Sequence, residues 1–127
     1  MQSAASWREL NASPYGTKPL QSGVIWVRER HGKRRVPLSS VEQIVAEREY
    51  ARLFTDDRTH LIRRSLSSLA EELSPQGFCR VHRSAIVNLG AVSGVVQRRG
   101  GGLAVQLASG AAAAIGPAFL PDFRRRL

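Results

Sequence analysis

A mainly β fold, built from many short antiparallel strands with one good helix, is what the sequence predicts, and three observations carry that prediction. From Gly23 onward apolar and polar residues alternate with period two in a series of short runs, the pattern of half-buried strands. Compact turn signals separate the runs: His31-Gly32-Lys33, Asp56-Asp57-Arg58-Thr59, Arg98-Arg99-Gly100-Gly101-Gly102 and Ser109-Gly110. Helical spacing is convincing over one stretch, Ser65 to Leu73, where Leu66, Leu69 and Leu73 fall at i, i+3 and i+7. At 127 residues the chain fits one domain whose core needs neither disulfides nor metal.

Taken in order, residues 1–22 mix Ser, Ala, Pro, Gly and Thr and place too few apolar side chains at regular spacing to offset their own ordering entropy. A flexible arm or linker is expected there, ahead of a domain over 23–127. Val24 and Trp26 then alternate with Ile25 and Val27, and Arg34 to Leu38 returns across the His31-Gly32-Lys33 turn as the second strand of a hairpin. Pro37 belongs at a strand end or edge, where a missing N–H does no harm. Ser39 stands three before Glu42 and Ser40 three before Gln43, which predicts a capped helical turn leading into a strand. Ala51 to Thr55 and His60 to Arg64 form a second hairpin. The Leu66, Leu69, Leu73 stripe, with Ala70, reads as a lid on a sheet, and Ser74-Pro75-Gln76-Gly77 ends the helix. Gly90 to Gln97 and Leu103 to Leu107 pair across the triple glycine. That loop is a hairpin tip rather than a phosphate cradle, because no Lys-Ser/Thr follows it and no helix opens after it. Ala112 to Ile115 is the last strand, followed by Gly116-Pro117 and a helical segment from Ala118 to Arg126.

Between the helix and that last group of strands lies Phe78 to Leu89. Its apolar residues (Phe78, Val81, Ile86, Val87, Leu89) are interleaved with Arg80, His82, Arg83 and Asn88, all able to donate to a phosphate or a base edge, and it contains no carboxylate. A segment that buries aliphatics while displaying donors suits a negatively charged partner, with nucleic acid foremost. The charge distribution points the same way. The net charge is +9, and from Leu73 to Leu127 seven Lys or Arg face one acid, Asp122. Of the 19 basic residues all but Lys18 and Lys33 are Arg, whose planar fork grips phosphate or guanine with two donors. The bland alternative is a generically basic surface.

Other classes find little support. Cys79 is the lone cysteine, so no disulfide framework or cysteine zinc site is expected, and a reducing cytoplasm suits the chain. No signal-peptide core or membrane-length apolar run occurs. His82 and Ser84 have no neighbouring carboxylate to orient an imidazole, and His31, His60 and His82 lack metal spacing, so neither catalysis nor a cofactor is expected.

The run Phe78-x-Arg80-Val81-His82-Arg83-Ser84-x-Ile86-Val87-Asn88-Leu89 resembles the signature of the LytTR family of bacterial DNA-binding domains, output modules of response regulators and other transcription factors. The similarity extends over roughly Val24 to Leu127. It implies an elongated fold of about ten short antiparallel strands in small sheets, with a short helix ahead of the signature strand. It also implies double-stranded DNA as partner, with loops entering successive major grooves. Asn88 matches a family asparagine that contacts DNA, and its amide can donate and accept at an adenine edge; the alternative for Asn88 is to satisfy the turn backbone before Gly90. Arg80 and Arg83 are expected on phosphates, as are Arg98 and Arg99, positioning the domain without reading sequence. His82, facing away from Arg83, packs inward or caps a carbonyl. A second family contact maps to Arg48-Glu49-Tyr50, where Arg48 and Tyr50 can donate and Glu49 repels phosphate. The family's Ser-Arg pair after the final strand is replaced by Gly116-Pro117, so base readout there is lost or Arg124, Arg125 and Arg126 supply backbone affinity instead. Family habit further implies paired copies on repeated half-sites and an upstream sensor or receiver domain. The rival reading is a protein-interaction module of the same fold that binds another regulator or an acidic partner. RNA is disfavoured, since exposed aromatics for base stacking are not evident.

Overall fold

The computed structural model describes residues 23–127, and the arm expected over 1–22 lies outside them. Ten strands form three antiparallel sheets among the described residues. β1 (Val24–Glu29) and β2 (Gly32–Pro37) make a separate hairpin. β3 (Val41–Glu47), β4 (Tyr50–Thr55), β5 (Thr59–Ile62), β6 (Phe78–His82) and β7 (Ala85–Asn88) build a five-stranded sheet in the order β5-β4-β3-β7-β6. β8 (Val92–Gln97), β9 (Leu103–Leu107) and β10 (Ala112–Ile115) form the third. Helix α1 (Leu66–Leu73) precedes β6, and α2 (Leu120–Arg126) ends the chain.

At β6 and β7 the five-stranded sheet is covered on both faces, which explains why the Phe78 to Leu89 segment is so apolar. One face packs Ile44, Leu53, Phe78 and Ile86 against α1 and the β1–β2 hairpin. The other packs Cys79, Val81, Ala85 and Val87 against Val105, Leu107, Ile115 and Phe123 of the third sheet and α2. Strand alternation therefore sends successive residues of β7 into two different cores, and a polar residue on either face would be buried.

Helix α1 forms as its sequence dictates. The Ser65 hydroxyl accepts from the Ser68 N–H at 3.1 Å, an N-cap contributing about 1 kcal/mol. Leu66, Leu69 and Leu73 are buried, each a gain of about 1.5–3 kcal/mol. Gly77, with φ +92°, supplies the left-handed residue that turns the chain into β6. The helical turn expected over Ser39 to Val45 is smaller than predicted. A 3-10 turn spans only Leu38–Ser40 and strand β3 begins at Val41. The capping box is not used either. Glu42 instead accepts from the Ser109 N–H at 2.8 Å and the Ser109 hydroxyl at 2.7 Å, a bond between sheets 67 residues apart in sequence.

Register decides which loops share an end. β3 pairs with β4 through Glu47↔Tyr50 and with β7 through Val45↔Ala85, and the Ala46 N–H reaches Ser84 O at 2.9 Å. The β3–β4 turn, the β6–β7 turn and the exit of β5 after Ile62, which pairs with Ala51, therefore lie at one end of the sheet. The third sheet is aligned with it by two bonds. Gly116 N–H donates to Val81 O at 2.7 Å, and Ala108 N–H donates to Ala91 O at 2.8 Å at the opposite end. Because Ile115 pairs with Leu103 and Leu103 with Gln97, the β8–β9 loop joins the first end as well.

Candidate nucleic-acid interface

Three basic loops thus converge from three hairpins distant in sequence. The β3–β4 tip is a two-residue turn, Arg48-Glu49. Arg48 sits at φ +60°, a left-handed conformation that costs a residue with a Cβ about 1–2 kcal/mol. Glycine would adopt that conformation more cheaply. Both carboxylates of the tip have cations of their own. Glu47 accepts two hydrogen bonds from Arg52, at 2.7 and 3.0 Å, and that bonding holds its carboxyl below the ordinary range while raising the Arg52 guanidinium. Glu49 lies 3.9 Å from Arg63. Arg48 makes no ion pair among the described residues. Tyr50 is exposed, with the Arg63 guanidinium 6.0 Å from its ring centre.

The β6–β7 turn is the most heavily supported of the three. Arg83 is exposed at its apex. Arg80 lies below it, half-buried, and its donors are committed to the protein: Nε to His82 O at 3.2 Å, Nη1 to the Ser67 hydroxyl of α1 at 3.1 Å, and Nη2 to Arg83 O. Its guanidinium also stacks 5.7 Å from the Phe119 ring centre. Arg80, expected on a phosphate, buttresses the turn here through the carbonyls on either side of the apex. His82 neither enters the core nor caps a carbonyl. Its Nδ1 accepts from the Ser84 N–H at 3.1 Å and lies 2.8 Å from the Ser84 hydroxyl, closing the turn from inside.

Asn88, expected at a base edge, is buried between β3 and the turn after β7. It is 1% exposed, its Nδ2 donates to Val41 O and its Oδ1 accepts from Gly90 N–H, both at 2.9 Å. The second alternative stated for it, satisfying the backbone before Gly90, is the one observed. Arg98 and Arg99 are exposed in the β8–β9 loop. The loop closes through Arg98 N–H to Gly102 O at 2.9 Å and Gly101 N–H to Arg98 O at 3.0 Å, with all three glycines at positive φ. Gly116 abuts Phe119 and His82: a Cβ there would stand 3.3 and 3.5 Å from their rings. A side chain at Gly116 would therefore press on the Phe119 ring that stacks under Arg80. Of the C-terminal arginines, Arg125 pairs with Asp122 and Arg126 lies away from this end. Arg126 donates to Phe78 O and Ser74 O at 2.9 and 2.8 Å, at the opposite end of β6. Arg63, not singled out from sequence, does belong with the loops; its signal was a basic pair directly at a strand exit.

A family model, the LytTr DNA-binding domain, matches residues 31–127. The chain belongs to that family. The LytTr domain's fold also matches a solved structure, the LytTr DNA-binding domain of a protein described as a methyl-accepting/DNA response regulator from Bacillus cereus. The two share 21% identity over 82% of this chain and 95% of that one, with a TM-score of 0.72. No curated protein sequence matches this LytTr domain. Among its described residues no helix is long and apolar enough to cross a membrane. The expected fold class, short antiparallel strands in small sheets with a helix ahead of the signature, stands as observed.

Proposed function

We propose that the domain binds double-stranded DNA with the end that carries the β3–β4, β6–β7 and β8–β9 loops, and discriminates among sequences there. The observation that supports this reading is the convergence of Arg48, Arg83, Arg98 and Arg99 at one end, none of them paired to a carboxylate among the described residues, on hairpins of a family named for DNA binding. Arg48, Tyr50 and Arg83, on the tightest turns, are assigned to base edges; Arg98 and Arg99, on the glycine-rich tip, to phosphates. Arg80 and Asn88 are assigned to the frame that holds those loops. Two copies on repeated half-sites, downstream of a sensor or receiver, complete the proposal as a regulator's output domain.

Fluorescence anisotropy with a pool of random duplexes, followed by sequencing of the bound fraction, tests it. Each phosphate contact contributes about −0.9 to the slope of log K against log salt, so Arg98→Ala with Arg99→Ala should flatten the slope by about 2. Arg83→Ala should cost about 1–3 kcal/mol and relax one position of the enriched motif. A salt-steep isotherm with no motif would reduce the domain to a non-specific binder, and absence of binding would leave the protein-interaction reading.

A further inference from the structure

Reaching outward from Tyr50 and Arg63 at the loop end, a surface on β1 and β5 carries side chains that the fold does not need. A groove runs along the free edge of β5, lined by Trp26, Leu61 and Tyr50 together with Arg28, Arg30 and Arg63. Trp26 is 58% exposed, Leu61 42% and Tyr50 39%, which brings three of the large exposed apolar side chains to one place. Trp26 points away from the core on the face of β1 opposite Ile25 and Val27, so the indole adds nothing to packing and leaves apolar area in water. The groove is strongly positive. Its one carboxylate, Glu29, is held by Arg34 at 2.5 Å, and among the described residues Arg28 and Arg30 have no ion pair at all.

We propose that this groove docks a protein partner through an extended segment that carries carboxylates and at least one large apolar side chain. Trp, Tyr and Arg are the residue types that dominate binding energy at protein interfaces, and here they surround a desolvatable apolar floor. β5 is the outermost strand of its sheet, the kind of edge to which an extended segment adds. Charge complementarity selects the occupant. A second copy would set these arginines against their own kind. The chain's own residues 1–22, with Arg8 and Lys18 against Glu9, carry the wrong sign. Duplex DNA has its bases stacked and unavailable to an indole, so it would use the arginines and leave Trp26 idle.

A random linear peptide library displayed on phage, panned on the full chain and counter-selected on Trp26→Ala, tests the assignment. Trp26 is outward and exposed, so both Trp26→Ala and Arg28→Glu should melt with the wild type. The expected result is enrichment of peptides that combine Asp or Glu with Leu, Phe or Trp. As synthetic peptides they should bind the full chain and weaken about tenfold or more on Trp26→Ala and on Arg28→Glu, with duplex affinity unchanged by Trp26→Ala. Failure to enrich such peptides, or binders indifferent to both substitutions, overturns the proposal. So does a matching loss of duplex affinity on Trp26→Ala, which would make the groove part of the DNA footprint. Quenching of Trp26 fluorescence by an oligo-dT strand with no peptide binding would also overturn it, in favour of unpaired nucleic acid.

Discussion

Replacement of Asn88 separates a framework residue from a reader of DNA. The amide spans two elements: Nδ2 holds the Val41 carbonyl at the start of β3, and Oδ1 holds the Gly90 N–H of the turn after β7. Asn88→Ala strands both groups at a site 1% exposed, beside Val41, which is wholly buried. A hydrogen bond contributes about 1 kcal/mol net, and a buried group left unpaired costs about 1–3 kcal/mol, so the substitution should destabilise by roughly 2–4 kcal/mol. For a domain of this size that is a fall in Tm of about 10–25 °C. Asn88→Ser, which keeps an oxygen near Gly90, should fall between. Urea and thermal unfolding give the stability; anisotropy well below the variant's Tm gives the binding. There the enriched motif should be unchanged and the affinity within about twofold of wild type once the folded fraction is counted. A variant that melts within about 2 °C of wild type yet loses its motif would refute the reasoning, because Asn88 would then act on DNA rather than on the fold.

Three further outcomes follow from the same geometry. Arg48→Gly relieves the left-handed strain at the β3–β4 tip, so thermal melting should show a gain of about 0.5–1 kcal/mol while duplex affinity drops; loss of stability would contradict the strain argument. Arg80→Ala removes three hydrogen bonds and the Phe119 stack and should cost about 2–4 kcal/mol, and well below its Tm it should bind duplex at unchanged salt slope; a slope reduced by about 1 in Arg80→Ala would return Arg80 to the phosphates. His60 has its pKa lowered, first by burial and then by Arg58, so protonation opposes folding. Its contribution is intact above the ordinary value of 6.5 and is lost as pH falls through the folded-state value. Tm should therefore drop from pH about 7.5 to about 5.5 more in wild type than in His60→Gln, in a window above that in which Glu29 and Glu47, with their lowered pKa values, begin to titrate. Equal slopes in the two proteins would dismiss the assignment.

What could be read from the chain alone was whatever depends on neighbours in sequence. Period-two alternation located the hairpins, the Leu66, Leu69, Leu73 spacing located α1, and glycine located the turns, because backbone sterics and side-chain periodicity act over a few residues. The interleaved signature disclosed the family and a strongly basic chemistry. The same locality misled at Ser39 to Val45, where a capping-box pattern is overridden by Glu42 reaching Ser109 across 67 residues. The division of labour within the signature lay beyond such a reading. Arg80, Arg83 and Asn88 are all donors of similar promise in sequence. Only the pairing of β3 with β7, the placing of Ser67 and Phe119 beside Arg80, and the closure of a second core over Val87 decide which donor faces solvent and which is spent inside. That choice belongs to tertiary structure because a buried donor must take the partner that long-range packing brings to it, and burial is set by residues far away in the chain.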